Sequence, residues 1–260
     1  MTLGPACHRV TQLWDETTAD FLAGGSPVPR GCDAWASSYR GRGRGGVVWD
    51  AFAEPYLGPL ESRPAGVFLA LNPGRAHEDF QFRDGVFADE IRAAGSYSSW
   101  AGSWPYLRDP WTAAKGSNRH HISRLRFLRI WHDDAKLDRA AMVGFELYPW
   151  HSTAITAVMR PDPAILRQWV WEPVAELGAP VFAFGAPWFS LLEDLGLTLV
   201  TLLGAGGTPF GSTVSSRTVA IYEDQATGVI VIAERHLGSA GPPSRDETLR
   251  LKDATLRWTS

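Results

Sequence analysis

Four short segments carry side chains suited to chemistry, and each directly follows an apolar run: Asn72-Pro73-Gly74, Glu146 to Ser152, Gly185-Ala186-Pro187-Trp188, and His236-Leu237-Gly238-Ser239-Ala240-Gly241. Asn72 donates and accepts through its amide and so suits the holding of a water, while Pro73 and Gly74 stiffen and sharpen the turn. An ordinary Asx turn is the alternative. His236 can donate a hydrogen bond to charge developing on a departing group, or simply cap its loop. Glu146 and His151 bring a carboxylate and an imidazole to the same kind of place. Ionised, Glu146 only accepts hydrogen bonds; if it faces a pocket, burial raises its pKa and restores a donor. The pair His120-His121 offers metal-binding atoms, but no carboxylate or cysteine stands at ligand spacing, so neither a metal nor another cofactor is expected.

These segments need elements to position them. Residues 67–71, 142–147 and 180–184 are short, continuous apolar runs ending in turn chemistry, the pattern of strands buried on both faces of a parallel sheet. Residues 197–203 form a further candidate, and 218–222 with 229–233 flank a stretch of hairpin composition. Helical patterns occupy 87–94, 122–131, 163–177, 188–195 and 246–257, with Asp162 as an N-cap before Pro163. Strands alternating with helices predict an α/β fold with a mostly parallel sheet covered on both faces. In such sheets ligands bind beyond the carboxyl ends of the strands, which is where all four segments fall.

No repeat or boundary divides the chain, so residues 1–260 read as one domain. Residues 24–46 form a Gly/Arg-rich loop whose Arg40, Arg42 and Arg44 either grip phosphates or lie solvated in a flexible linker. Residues 95–118 form an aromatic-rich insertion with Tyr97, Trp100, Trp104, Tyr106 and Trp111, read either as a satellite core or as rings that contact a ligand and cap a pocket. Arg119, Arg126 and Arg129 hint at DNA contact, against the alternative of a charged surface helix.

Taken in order, the segments resemble the uracil-DNA glycosylase superfamily. Residues 66–74, Gly-Val-Phe-Leu-Ala-Leu-Asn-Pro-Gly, are similar to the first motif of its mismatch-specific branch, in which Gly-Ile-Asn-Pro-Gly holds the catalytic water. Residues 181–185, Val-Phe-Ala-Phe-Gly, look like its third strand and glycine, and His236-Leu-Gly-Ser-Ala-Gly241 looks like its His-Pro-Ser loop. The resemblance covers about 190 residues, from roughly Ala65 onward. It implies a three-layer αβα fold with a central, mainly parallel four-stranded sheet, and a DNA glycosylase acting on a flipped base. Carried over, Asn72 positions the attacking water and His236 stabilises the leaving base. Phe82, Glu146 and His151 contact the base, and Pro73, Gly74, Gly185, Gly238, Ser239 and Arg119 contact DNA. Glu146 stands where the family often has asparagine, and Leu-Gly-Ser replaces Pro-Ser after the histidine. The substrate implied is therefore a modified or deaminated base other than plain uracil. A catalytically silent nucleic-acid-binding protein and a nucleoside or nucleotide hydrolase remain the alternatives.

Composition restricts the class without choosing within it. Hydrophobic residues make up 45% of the 260, enough for a globular core, and the net charge of −3 with a pI of about 6.2 confines any basic surface to a local patch. Two cysteines without CxxC spacing argue against a disulfide framework and fit a reducing cytoplasm. No apolar run approaches the roughly 20 residues of a membrane span, and residues 1–10 lack signal-peptide character. A monomer is expected.

Overall fold

The apolar runs of the sequence meet side by side in a computed structural model, which describes residues 3–38, 46–153, 161–204, 217–236 and 242–259. The strands are β1 (Tyr56–Leu57), β2 (Gly66–Ala70), β3 (Met142–Glu146), β4 (Val181–Phe184), β5 (Thr198–Leu203), β6 (Arg217–Asp224) and β7 (Val229–His236). β2 and β4 are buried throughout and β3 in all but its last residue, as continuous apolar runs require.

The sheet departs from the four-stranded, mainly parallel expectation: it is mixed and has seven strands in the order β1-β3-β2-β4-β7-β6-β5. β3, β2, β4 and β7 run parallel, while β1 joins β3 antiparallel, β6 joins β7 antiparallel and β5 joins β6 antiparallel. The reason is local. The turn at Asp224–Gly228 makes a hairpin of β6 and β7, and a hairpin is antiparallel by construction. β2 lies between β3 and β4, so the chain leaves it to one side and later crosses to the other; that reversal is where an open sheet forms its crevice.

The helix Arg119–Trp131 packs its Phe127 against Phe68, Phe182 and Phe184 of the sheet and stacks Trp131 on Phe127. Gly66 allows the close approach, since a Cβ there would lie 2.6 Å from Leu128. The same helical spacing that buries Phe127, Leu128 and Trp131 also buries His121 and Arg124. Helix Arg245–Thr259 packs on this helix.

An N-terminal helix, Pro5–Leu22, was absent from the sequence expectation. It starts on the carboxylate of Glu176, which accepts from the amides of Ala6 and Cys7 at 2.8 and 2.9 Å, an anion at a helix N-terminus. Cys7 and Cys32 are both free and buried in the core. Helix Asp33–Ser38 falls inside the expected 24–46 loop, whose arginine-glycine residues 39–45 lie outside the described residues. The 95–118 insertion is folded, with helices Tyr97–Gly102 and Trp111–Lys115 around a short 3-10 turn, and its Tyr and Trp rings are buried. Among the described residues no helix is long and apolar enough to cross a membrane.

Candidate active site

A cavity of about 280 Å³ opens where β2 and β3 end. Asn72, Pro73, Gly74 and Arg75 line it from the turn after β2, and Glu146 from the last position of β3. Tyr106 and Trp111 reach it from the aromatic insertion, Asn118, His120 and His121 from the start of helix Arg119–Trp131, and Glu54, Leu57, His77 and Gln81 from the remaining wall.

Backbone pairing beyond the strand ends sets the turn after β2. Leu147 and Tyr148 donate to the carbonyls of Ala70 and Leu71 at 2.9 and 3.0 Å, and Ser152 donates to Gly74 at 2.9 Å. The Asn72 Nδ2 then donates to the Ser152 carbonyl at 2.7 Å. This bond crosses 80 residues, so the side chain clasps two strand ends rather than closing an Asx turn. It also orients the amide: with nitrogen committed to Ser152, Oδ1 is left as an acceptor.

Glu146 sits level with Ala70 across the β2–β3 pair, half-buried at the cavity, and its Oε2 has no hydrogen-bond partner among the described residues. Burial pushes its pKa from 4.5 up to about 8; the guanidinium of Arg124 opposes that rise, and the nearby Glu54 adds to it. The carboxyl is therefore protonated at neutral pH and presents one donor and one acceptor. Arg124 is itself buried, with its Cζ 5.5 Å from the centre of the Phe68 ring. Among the described residues it forms no ion pair within 4.0 Å. His121, which lines both the main cavity and a void of about 10 Å³ shared with Arg124 and Glu146, is held neutral, its pKa driven well down by burial and then by His120 and Arg124.

Glu54 was not anticipated. Its amide donates to the Pro149 carbonyl at 2.7 Å, and its carboxylate accepts from the Tyr106 hydroxyl. Gln81 Nε2 donates to that hydroxyl at 2.7 Å, and Gln81 Oε1 accepts from the His77 amide at 2.7 Å, so a chain of bonds fixes the carboxylate. The Tyr106 hydroxyl, its pKa pushed far up by burial and by Glu54, stays a donor. The sequence did carry a signal for Glu54: a carboxylate inside the apolar stretch from Ala51 to Leu57. Arg124, at helical spacing from Phe127, Leu128 and Trp131, was equally visible.

Several expected site residues stand elsewhere. His151 is buried behind the cavity wall, its Nε2 3.4 Å from Glu54 Oε1, and does not line the cavity. Phe82 does not line it either; it follows the helix Glu78–Gln81 in extended conformation and bridges to Ala51, which leaves Gln81 facing inward and gives the aromatic wall to Tyr106 and Trp111. Arg119 is exposed on the first turn of its helix, outside the lining. Gly185 ends β4 at a φ of +131°, a conformation that favours glycine, and a Cβ there would lie 3.4 Å from Leu71, but it too is outside the lining.

His236 closes β7, paired with Arg217. Leu69, Ala183 and Ala233 form one row across β2, β4 and β7, and Asn72 and His236 each stand three residues further along. The turn that carries Asn72 thus follows a strand separated from β7 by β4 alone. The His236 side chain, Gly238 and Ser239 lie outside the described residues. Among the described residues no group of three His, Cys, Asp or Glu side chains is placed to hold a metal.

Comparison of the chain with models of known protein families, with characterised proteins and with solved structures finds no match.

Proposed function

We propose that this protein hydrolyses the N-glycosidic bond of a nucleotide in DNA whose base is turned out of the strand into the cavity. The observation that carries the reading is the pairing of Asn72 and Glu146 on one cavity at adjacent strand ends. The Asn72 Oδ1 accepts a hydrogen bond from the attacking water and aims its oxygen, while the neutral Glu146 carboxyl hydrogen-bonds the base edge. A neutral carboxyl offers one donor and one acceptor, which match an edge with a carbonyl beside an N–H, the edge that deaminated bases share. Trp111 and Tyr106 supply flat apolar faces against which a base can stack. His236, at the end of β7 on the same sheet, is the candidate to hold the leaving base.

The fold supports the same reading. The four parallel strands form the centre, with β1 and the β5–β6 strands as additions. Helices gather in two groups, Arg119–Trp131 with Arg245–Thr259 and the N-terminal helix with Tyr97–Gly102 and Glu172–Glu176. That grouping favours a three-layer αβα arrangement.

The test is a panel of single-stranded and duplex oligonucleotides bearing uracil, hypoxanthine, xanthine or modified cytosines, scored for abasic product, with free nucleosides as a separate arm. Abasic product from a deaminated base, reduced about 100-fold or more by Asn72→Ala, is expected. Folded protein that releases no base from any polymer refutes the proposal, and release from nucleosides alone moves the activity to small molecules.

A further inference from the structure

Two carboxylates line the cavity, and the reading above uses one. We propose that Glu54 is the second catalytic group, facing the sugar and the water held by Asn72. This rests on the N-glycosidic reading and deepens it.

Glu54 is almost wholly buried yet reaches the cavity wall that also carries Asn72 and Glu146. Its surroundings are those of a positioned base. Tyr106 donates to it, Gln81 fixes Tyr106, and the backbone of His77 fixes Gln81. The same oxygen, Oε1, has His151 Nε2 3.4 Å away, from a buried ring with neither nitrogen hydrogen-bonded among the described residues. A carboxylate whose one oxygen is held by a chain of donors keeps its geometry when the substrate changes charge. Glu146 has no such donors at Oε2 and carries a proton. Paired carboxyl groups in unlike environments divide acid and base roles between them.

The chemistry balances with these two groups and one water. The C1′–N bond breaks and its electron pair leaves with the base, which receives the Glu146 proton. The sugar is left as a cation opposite the Glu54 carboxylate. The water oxygen bonds to C1′ and its proton passes to Glu54. The products are the free base and an abasic sugar, and both carboxyl groups regain their starting states by exchange with solvent.

The experiment uses the full chain and two oligonucleotides, one carrying a cationic pyrrolidine in place of the sugar and one the neutral tetrahydrofuran analogue. Wild-type protein is expected to prefer the cation at least tenfold, and Glu54→Gln to lose that preference while binding the neutral analogue as before. In single-turnover base release Glu54→Gln is expected to lose about 100-fold or more, with partial recovery in Glu54→Asp. Retention of the cation preference by Glu54→Gln overturns the proposal and leaves the N-glycosidic reading intact. Failure of the wild-type protein to bind either analogue or release any base overturns both. Thermal melting checks the fold of each variant; if Glu54→Gln does not fold, Tyr106→Phe, which removes the orienting hydroxyl and leaves the carboxylate, must reduce the preference.

Discussion

Replacing Glu146 by glutamine keeps the size of the side chain and its paired donor and acceptor but removes the proton that the wild-type carboxyl gains and loses. In the folded protein that carboxyl titrates at about 8, against 4.5 for a free side chain. Between those values the native state holds a proton that the unfolded chain has released. Wild-type stability therefore falls as pH rises through the window, by at most about 1.4 kcal/mol per pH unit, and the loss is complete above the folded value. The window is about 3.5 units wide, 8 less 4.5, so its upper bound is on the order of 5 kcal/mol. Solvent at the open side of the cavity screens the charge, and about 2 to 4 kcal/mol is expected.

The assay is urea unfolding of both proteins from about pH 5 to about pH 9. Glu146→Gln should equal the wild type, apart from a constant offset, at the acid end and gain on it steadily until the curves run parallel above about pH 8. A difference that is flat with pH would refute the reasoning, because it would mean that Glu146 titrates alike in both states. Base release from oligonucleotides bearing a deaminated base should show the same boundary, falling in the wild type as pH rises through about 8.

Two further substitutions test the frame around this group. Arg124→Met removes the cation that holds Glu146 down, so the wild-type titration, followed by carboxyl NMR, should move above about 8; a midpoint that stays or falls refutes the coupling. Asn72→Asp sets a carboxylate oxygen against the Ser152 carbonyl in place of a donor, and should cost about 1 to 3 kcal/mol, read as a fall of several degrees in Tm.

The sequence was most informative where burial is complete. β2, β3 and β4 are short apolar runs because both faces are covered, and Asn72 and Glu146 stand at or just beyond the ends of two of them, lining one cavity. Elements stabilised from a distance were hidden. The helix Pro5–Leu22 interleaves Thr17 and Thr18 with Trp14 and Phe21 on its buried face, has no side-chain cap, and is anchored by Glu176 far along the chain. β1 has two residues, too few for any periodicity. The hairpin was legible, but the widening of the sheet to seven strands was not, since pairing order depends on contacts between distant segments. Among the rings, Phe82 and Trp111 are equally aromatic in the sequence; only the turn of residues 78–81 decides which one meets the cavity.

The charges around the cavity explain why a carboxyl can stand at position 146. Glu146 stands half-buried beside Glu54 and the guanidinium of Arg124, and burial outweighs that guanidinium. A proton is the least costly way to keep a carboxyl there whose Oε2 has no donor. An asparagine would offer the same donor and acceptor at every pH. The carboxyl adds something an amide lacks: a proton it can surrender near neutral pH to a base leaving as an anion. On this argument Glu146 is more than a replacement for an amide that reads the base. Under the proposed function it would read the base and then protonate it, so substitution to glutamine is expected to spare binding and slow release.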